Sequence, residues 1–184
     1  MKEKGFTLIE MVIVLAVVAI LAAVMVPIIA TNIEQAKVAR AAADVKTIAE
    51  AMVRFRQDLG FWPIRDNGGT VVDLLAGPGT LPPAGTGSSW LGKTSTGLEN
   101  HLVSGVFSQY QRGPSPQGLP CWNGPYTSEI KTDPFNMAYL VNIANFHNGS
   151  NAAVFVLSAG PDRLTDTNFE GGDLANDDIG FKLQ

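Results

Sequence analysis

The N-terminal apolar segment limits the possible folds of this chain more than any other feature. No residue from 11 to 30 is charged, and a helix of about 20 residues covers about 30 Å, the thickness of the hydrocarbon layer of a bilayer. The segment is longer than the core of a secretory signal peptide, which has roughly 7 to 15 apolar residues. Because Lys2 and Lys4 precede it, the positive-inside rule predicts that the residues after 30 lie outside the cytoplasm.

Glu10 is the one ionisable residue within residues 6–30. A carboxylate inside hydrocarbon costs about 2.5 to 3.5 kcal/mol on insertion scales, so such a residue normally has a function or a partner. The alternative is a position near the membrane surface, where the side chain reaches water. We interpret Glu10 as a residue that requires a partner.

After residue 30 the pattern becomes amphipathic without a helix breaker. Apolar residues recur at spacings of three and four, which predicts a helix with one buried face; these residues are Val45, Ile48, Met52, Phe55 and Leu59. Gly60 and Pro63 then end the pattern. The sequence therefore predicts one helix over residues 6–59, with a membrane half and an amphipathic half.

Residues 63–125 form a loop-rich middle segment, because glycine and proline interrupt it too often for long elements. Residues 70–76 and 98–110 fit a short helix or a strand equally well. Three aromatic side chains in or next to this segment either form a recognition patch or attach the loops to the core; they are Trp90, Trp122 and Tyr126.

Two short segments near the C-terminus are rich in β-branched and aromatic residues. Residues 138–143 and 152–157 are predicted strands, and residues 147–150 are the turn that joins them. The expected fold class is α+β, with the long helix packed on a small antiparallel sheet. We predict that His101 and His147 are solvent-facing loop residues.

Composition excludes several functions. The net charge is -4 and no segment concentrates lysine and arginine, so nucleic acid is not an expected partner. The one cysteine, Cys121, allows neither an intrachain disulfide nor a multi-cysteine zinc site. The chain has no recognisable Ser/His/Asp or Cys/His arrangement and no phosphate-binding glycine loop, so an enzyme is not predicted.

The last 27 residues are acidic and irregular. They are either a solvated tail or a loop that binds a hard cation such as Ca²⁺, which takes six to eight oxygen ligands from carboxylates and carbonyl groups. Closely spaced aspartates repel one another unless a cation lies between them. The acids are Asp162, Asp166, Glu170, Asp173, Asp177 and Asp178.

The stretch KGFTLIE at residues 4–10, between a short basic leader and a long apolar helix, resembles the signal of type IV pilins and type II secretion pseudopilins. The resemblance implies a leader of residues 1–5, a membrane and filament-core helix of residues 6–30, and a periplasmic domain of residues 31–184. It implies cleavage between Gly5 and Phe6 by a prepilin peptidase, with N-methylation of Phe6. Glu10 then serves assembly by pairing with the amino terminus of a neighbouring copy.

The C-terminal part resembles the major pseudopilins of the G type, through the GPY and DPF stretches at residues 124–126 and 133–135 and the later DDIG stretch. This resemblance implies one calcium ion, bound by the carboxylates of Asp162, Asp177 and Asp178 with further oxygen from Leu157 or Ser158. The interval between Asp162 and Asp177 is longer than in that pattern, so Asp166 or Asp173 is an alternative ligand.

The resemblance implies a structural subunit of a type II secretion pseudopilus that polymerises through its N-terminal helix to drive protein export. The implied partners are further copies of the chain, the prepilin peptidase, minor pseudopilins and an assembly platform in the inner membrane. A type IV pilin or a minor tip pilin for adhesion or motility is the alternative.

Overall fold

The computed structural model describes residues 5–85, 88–90, 92–107, 110, 120–147 and 152–183. The chain divides into two compact units, Met1–Lys37 and Val38–Gln184. The first element, α1 (Leu8–Leu59), is a 52-residue helix that contains Pro27. It begins two residues later than predicted and ends at the predicted position.

The end of α1 follows from Gly60, which adopts a positive φ of 78°. Its N–H donates a 2.7 Å hydrogen bond to the carbonyl group of Arg56. Glycine takes this left-handed conformation without a Cβ penalty, as is common just after a helix.

The second unit contains a five-stranded mixed sheet with the strand order β2-β1-β3-β4-β5. Its strands are β1 (Leu74–Ala76), β2 (Ser95–Gly97), β3 (Leu140–Val141), β4 (Phe155–Ser158) and β5 (Ile179–Lys182). Strands β1 and β2 are parallel, whereas the other neighbours are antiparallel. The predicted α+β fold, a long helix packed on a small antiparallel sheet, is therefore confirmed, with β1 and β2 as the one parallel pair of the described strands. Two short helices, α2 (Leu98–Leu102) and α3 (Ala144–His147), complete the elements of the described residues.

The predicted C-terminal strand pair is confirmed, since β3 and β4 are antiparallel with Leu140 opposite Leu157. The connection differs from the predicted turn because α3 lies within it. Residues 148–150 of that turn lie outside the described residues.

The central strands β1, β3 and β4 are buried on both faces of the sheet, and successive side chains of each strand point to opposite faces. On one face, Leu75, Val141 and Val156 join the apolar face of α1 in the main core. All five residues of the predicted helix stripe are buried there. On the other face, Leu74, Leu140 and Leu157 form a smaller core.

The aromatic residues of the middle segment attach its loops to these cores. Trp90 and Trp122 are buried, and their indole N–H groups donate hydrogen bonds of 2.6 Å to the carbonyl group of Thr167 and 2.9 Å to that of His101. The anchoring alternative is therefore correct for both tryptophans. Tyr126 is half-buried and packs against the main core.

The prediction of an exposed His101 is wrong. Its side chain is fully buried, because α2 places the ring against the edges of Phe55 and Phe107. Burial lowers the pKa of His101 to about 3. His147, at the end of α3, is exposed as predicted.

Candidate functional site

The N-terminal residues Gly5 and Phe6 lie just before α1, and both are exposed. The next residue, Thr7, forms a capping box with Glu10. The N–H and hydroxyl groups of Thr7 donate to Oε2 of Glu10 over 2.8 and 2.7 Å, and the N–H of Glu10 donates to the Thr7 hydroxyl over 3.3 Å. The carboxylate of Glu10 therefore also stabilises the start of the helix.

We did not predict this capping role of Glu10, although the T-x-x-E pattern before an apolar run is a known sign of it. The predicted pairing of Glu10 with a neighbouring copy does not conflict with the capping bonds, because an ionised carboxylate has about four lone-pair positions. Glu10 can keep Thr7 as a neighbour and still accept from a second donor.

The apolar part of α1 meets the length and composition needed to cross a membrane. An 18-residue window of this helix has a mean hydropathy of 3.2, and none of that window is buried by the rest of the described chain. Side chains from residue 5 to residue 37 are exposed in the same way. Such a surface is compatible with lipid or with neighbouring copies of the helix.

Three aspartates of the acidic C-terminal loop lie together. One carboxylate oxygen from each of Asp162, Asp166 and Asp177 lies within 4.8 Å of the other two. Asp177 also holds the loop, because its Oδ2 accepts a 2.9 Å hydrogen bond from the N–H of Asp162. The side-chain amide of Asn176 donates to Oδ2 of Asp166 over 2.5 Å. Thus the alternative residue Asp166, and not Asp178, completes this group.

Asp178 is buried next to this group and binds the backbone. Its Oδ2 accepts N–H groups of Asp166 and Thr167 over 2.9 and 2.6 Å, while its Oδ1 is buried with no hydrogen-bond partner among the described residues. Burial raises the pKa of the Asp178 carboxyl above its ordinary value, against the opposing effect of the bonds from Thr167. A buried carboxylate oxygen without a donor is the kind of atom that a cation satisfies.

The remaining candidate ligands have other positions. Leu157 lies in β4 with its side chain in the smaller core. Ser158, the last residue of β4, donates a 2.7 Å hydrogen bond to Oδ2 of Asp133. Asp173 is exposed and outside the three-aspartate group.

The chemistry of this loop fits a hard divalent cation. Three carboxylates that converge within 4.8 Å repel one another, and a cation placed between them offsets that repulsion. Calcium takes oxygen ligands from irregular loops of this kind. The donor set is therefore suitable for calcium, with Asp162, Asp166 and Asp177 as the central carboxylates.

Comparisons with known proteins agree with the N-terminal pattern. Residues 1–26 match the family described as the prokaryotic N-terminal methylation motif. The type II secretion system core protein G of Pseudomonas aeruginosa is 39% identical over 67 residues, which are 36% of this chain and 47% of that protein. The protein of the same name from Escherichia coli K12 is 32% identical over 82 residues, or 45% of this chain and 54% of that protein.

The chain thus spans about half the length of the curated relatives that it matches. No solved structure matches it significantly. The methylation motif at residues 1–26 and the similarity to two core proteins G confirm the predicted resemblance to type II secretion pseudopilins of the G type.

Proposed function

We propose that this chain is a structural subunit of a type II secretion pseudopilus. The observation that carries the proposal is the methylation motif at residues 1–26 on a 52-residue helix, in a chain similar to core protein G of two secretion systems. The similarity to a structural component supports a role without enzymatic activity. The apolar helix and the motif support single-pass anchoring in the inner membrane, with the domain of residues 31–184 in the periplasm.

Processing precedes assembly in this proposal. A prepilin peptidase cleaves between Gly5 and Phe6, and the new amino group at Phe6 is methylated. That amino group is a cation, and the carboxylate of Glu10 on a neighbouring copy pairs with it, which relieves two charges held in an apolar environment. Minor pseudopilins and an inner-membrane assembly platform are the further partners.

The experiment compares the full chain with Glu10→Ala and a matched variant, Glu34→Ala, in cells that contain the secretion system. Glu34 is an exposed acid of the same helix. We expect mass spectrometry to show loss of residues 1–5 and methylated Phe6 in all three chains, with filaments absent only for Glu10→Ala. Normal filaments from Glu10→Ala would contradict the pairing.

The same cells test the alternative of a minor tip pilin or a type IV pilin. A major subunit forms long filaments that consist mostly of this chain, whereas a tip subunit is found only at filament ends by immunogold labelling. Export of secreted proteins that continues unchanged after deletion of this chain would contradict a role in type II secretion.

We also propose that the acidic loop binds calcium through the carboxylates of Asp162, Asp166 and Asp177. Bound calcium offsets the mutual repulsion of these carboxylates, and it holds the C-terminal segment on the domain of a chain whose one cysteine excludes an intrachain disulfide. The buried Oδ1 of Asp178, which has no hydrogen-bond partner in the part of the chain that the structure describes, supports a cation in this region.

The melting temperature of the full chain in detergent tests the calcium site. Ligand at a hundred times its dissociation constant stabilises by about 2.7 kcal/mol if it binds only the folded form, so calcium should raise the melting temperature relative to a chelator. Asp177→Asn should abolish the difference, and Asp173→Asn, which changes an exposed acid outside the group, should preserve it. Identical melting of the unsubstituted chain with calcium and with chelator would exclude the site.

A further inference from the structure

Asp133 is a buried carboxylate that joins two segments far apart in the sequence. It is 2% exposed. Its Oδ1 accepts the N–H groups of Phe135 and Met137 over 2.9 and 2.7 Å, and its Oδ2 accepts the hydroxyl group of Ser158 over 2.7 Å. Hydrogen bonds to an ionised acceptor are about twice as strong as neutral ones.

The turn that contains Asp133 has a defined shape. The N–H of Asp133 donates to the carbonyl group of Met137 over 2.9 Å, and that of Asn136 donates to the carbonyl group of Asp133 over 3.0 Å. Asn136 adopts a φ of 67°, a conformation that asparagine tolerates better than most residues. The carboxylate is therefore held in place just before strand β3.

Ser158, on the other side of this bond, begins the segment that leads to the acidic loop. Its hydroxyl oxygen accepts the N–H of Gly160 over 3.4 Å. Gly160 has a φ of 67°, and a Cβ at this position would lie 2.2 Å from the carbonyl oxygen of Asp177. Two residues later the N–H of Asp162 reaches the carboxylate of Asp177 over 2.9 Å. Residues 158–162 thus pack closely against Asp177.

We propose that Asp133 is a positioning residue for the calcium site, and that it acts through Ser158; this inference rests on the calcium binding proposed above. The acceptor-only carboxylate directs the Ser158 hydroxyl hydrogen toward itself, which leaves the hydroxyl lone pairs available for the N–H of Gly160. That arrangement fixes the start of the loop and hence the separation of Asp162 and Asp177. Asparagine has nearly the same shape, but its amide group donates to Ser158 and competes with Gly160.

The test measures calcium affinity by titration calorimetry of the full chain in detergent. Residues that orient metal ligands typically change affinity by about 10- to 100-fold, so we expect Asp133→Asn and Ser158→Ala each to weaken binding by about ten-fold. The double variant should be no weaker than either single variant, because both changes remove the same connection. Tyr139→Phe, which removes a 2.9 Å hydrogen bond to Asp44 in the same unit, is the matched control and should bind as the unsubstituted chain does.

A second readout separates positioning from ligation. Terbium luminescence lifetimes in H₂O and D₂O count the water molecules on the bound ion. We expect that number to stay unchanged in Asp133→Asn and Ser158→Ala, and to rise in Asp162→Asn because a ligand is lost. A rise in Ser158→Ala would make Ser158 a ligand and overturn a role through positioning.

The outcomes distinguish this inference from the proposal on which it rests. If the unsubstituted chain binds no calcium, both are wrong. If it binds calcium and Asp133→Asn binds equally tightly, only the positioning role is wrong. If Asp133→Asn does not fold, Ser158→Ala decides, since unchanged affinity there would equally overturn the role.

Discussion

The hydroxyl group of Tyr139 donates a 2.9 Å hydrogen bond to Oδ2 of Asp44. This bond joins the residue before strand β3 to helix α1 within the second unit. The tyrosine side chain is otherwise surrounded by the main core, and its burial raises the pKa of the hydroxyl group, with Asp44 contributing to the shift. The hydrogen bond between Tyr139 and Asp44 is therefore a polar interaction within a largely apolar contact.

Tyr139→Phe should lower the free energy of unfolding by about 1 to 2 kcal/mol, because it removes a hydrogen bond to a charged acceptor and leaves the ring in place. Urea titration of the full chain in nonionic detergent measures this change. Thr47→Ala, which removes an exposed hydrogen bond to the carbonyl group of Ala43, should alter stability by less than about 0.5 kcal/mol. Equal effects of the two substitutions would contradict the contribution of the Tyr139 hydroxyl.

Phe55→Ala should be much more destabilising, by about 3 to 5 kcal/mol, because it creates a cavity in the main core. Phe55 is fully buried, and its ring makes edge contacts with Tyr110 and Tyr126 at centroid distances of 5.3 and 5.7 Å. Val53→Ala on the same helix serves as control, since Val53 is 39% exposed. A loss for Phe55→Ala as small as that for Val53→Ala would mean that the buried stripe of α1 does not support the domain.

The success of the helix prediction and the failure for His101 have a common physical explanation. The burial of Val45, Ile48 and Met52 follows from a local 3.6-residue period, which the sequence displays directly. The burial of His101 depends on Phe55 and Phe107, and Phe55 is far from it in the chain. No local pattern contains that information. The strands β1 and β3 have three and two residues, too few for a period of two to stand out.

The residues of the candidate sites also differ in whether a local sequence pattern reveals them. A single charge in an apolar run, such as Glu10, is visible without a structure, and its capping bond with Thr7 follows a local pattern as well. In the acidic loop, one of Asp166 and Asp178 joins Asp162 and Asp177 in the three-aspartate group. Which of the two does so depends on which carboxylate accepts backbone N–H groups instead. Asp178 accepts two N–H groups, an arrangement that only the folded loop determines.

The buried His101 predicts a particular dependence of stability on pH. Its pKa of about 3 lies below the ordinary value near 6.5, so the unfolded chain binds the proton more readily. The stability that a neutral His101 contributes is complete above pH 6.5 and is lost toward pH 3, by about 1.4 kcal/mol per pH unit. His101→Gln should remove this slope from urea titrations between pH 6 and pH 4.

His147→Gln is the control for that experiment, because His147 is exposed at the end of α3. Its profile should follow that of the unsubstituted chain, including the contribution of the carboxylates. Parallel profiles for His101→Gln and the unsubstituted chain would show that His101 does not remain neutral in the folded domain.

Gly160→Ala tests the close approach between strand β4 and the acidic loop. The new Cβ would meet the carbonyl oxygen of Asp177 at 2.2 Å, and a backbone atom cannot rotate away as a side chain can. Gly172→Ala is the matched control, because Gly172 also has a positive φ, of 131°, but no atom lies within 4 Å of its added Cβ. With chelator present, Gly160→Ala should be the less stable variant by about 1 to 3 kcal/mol, the usual effect of overpacking. Amide hydrogen exchange should then be faster in residues 177–182 of Gly160→Ala only, since displacement of Asp177 loosens the strand that follows it; equal exchange in both variants would refute the contact.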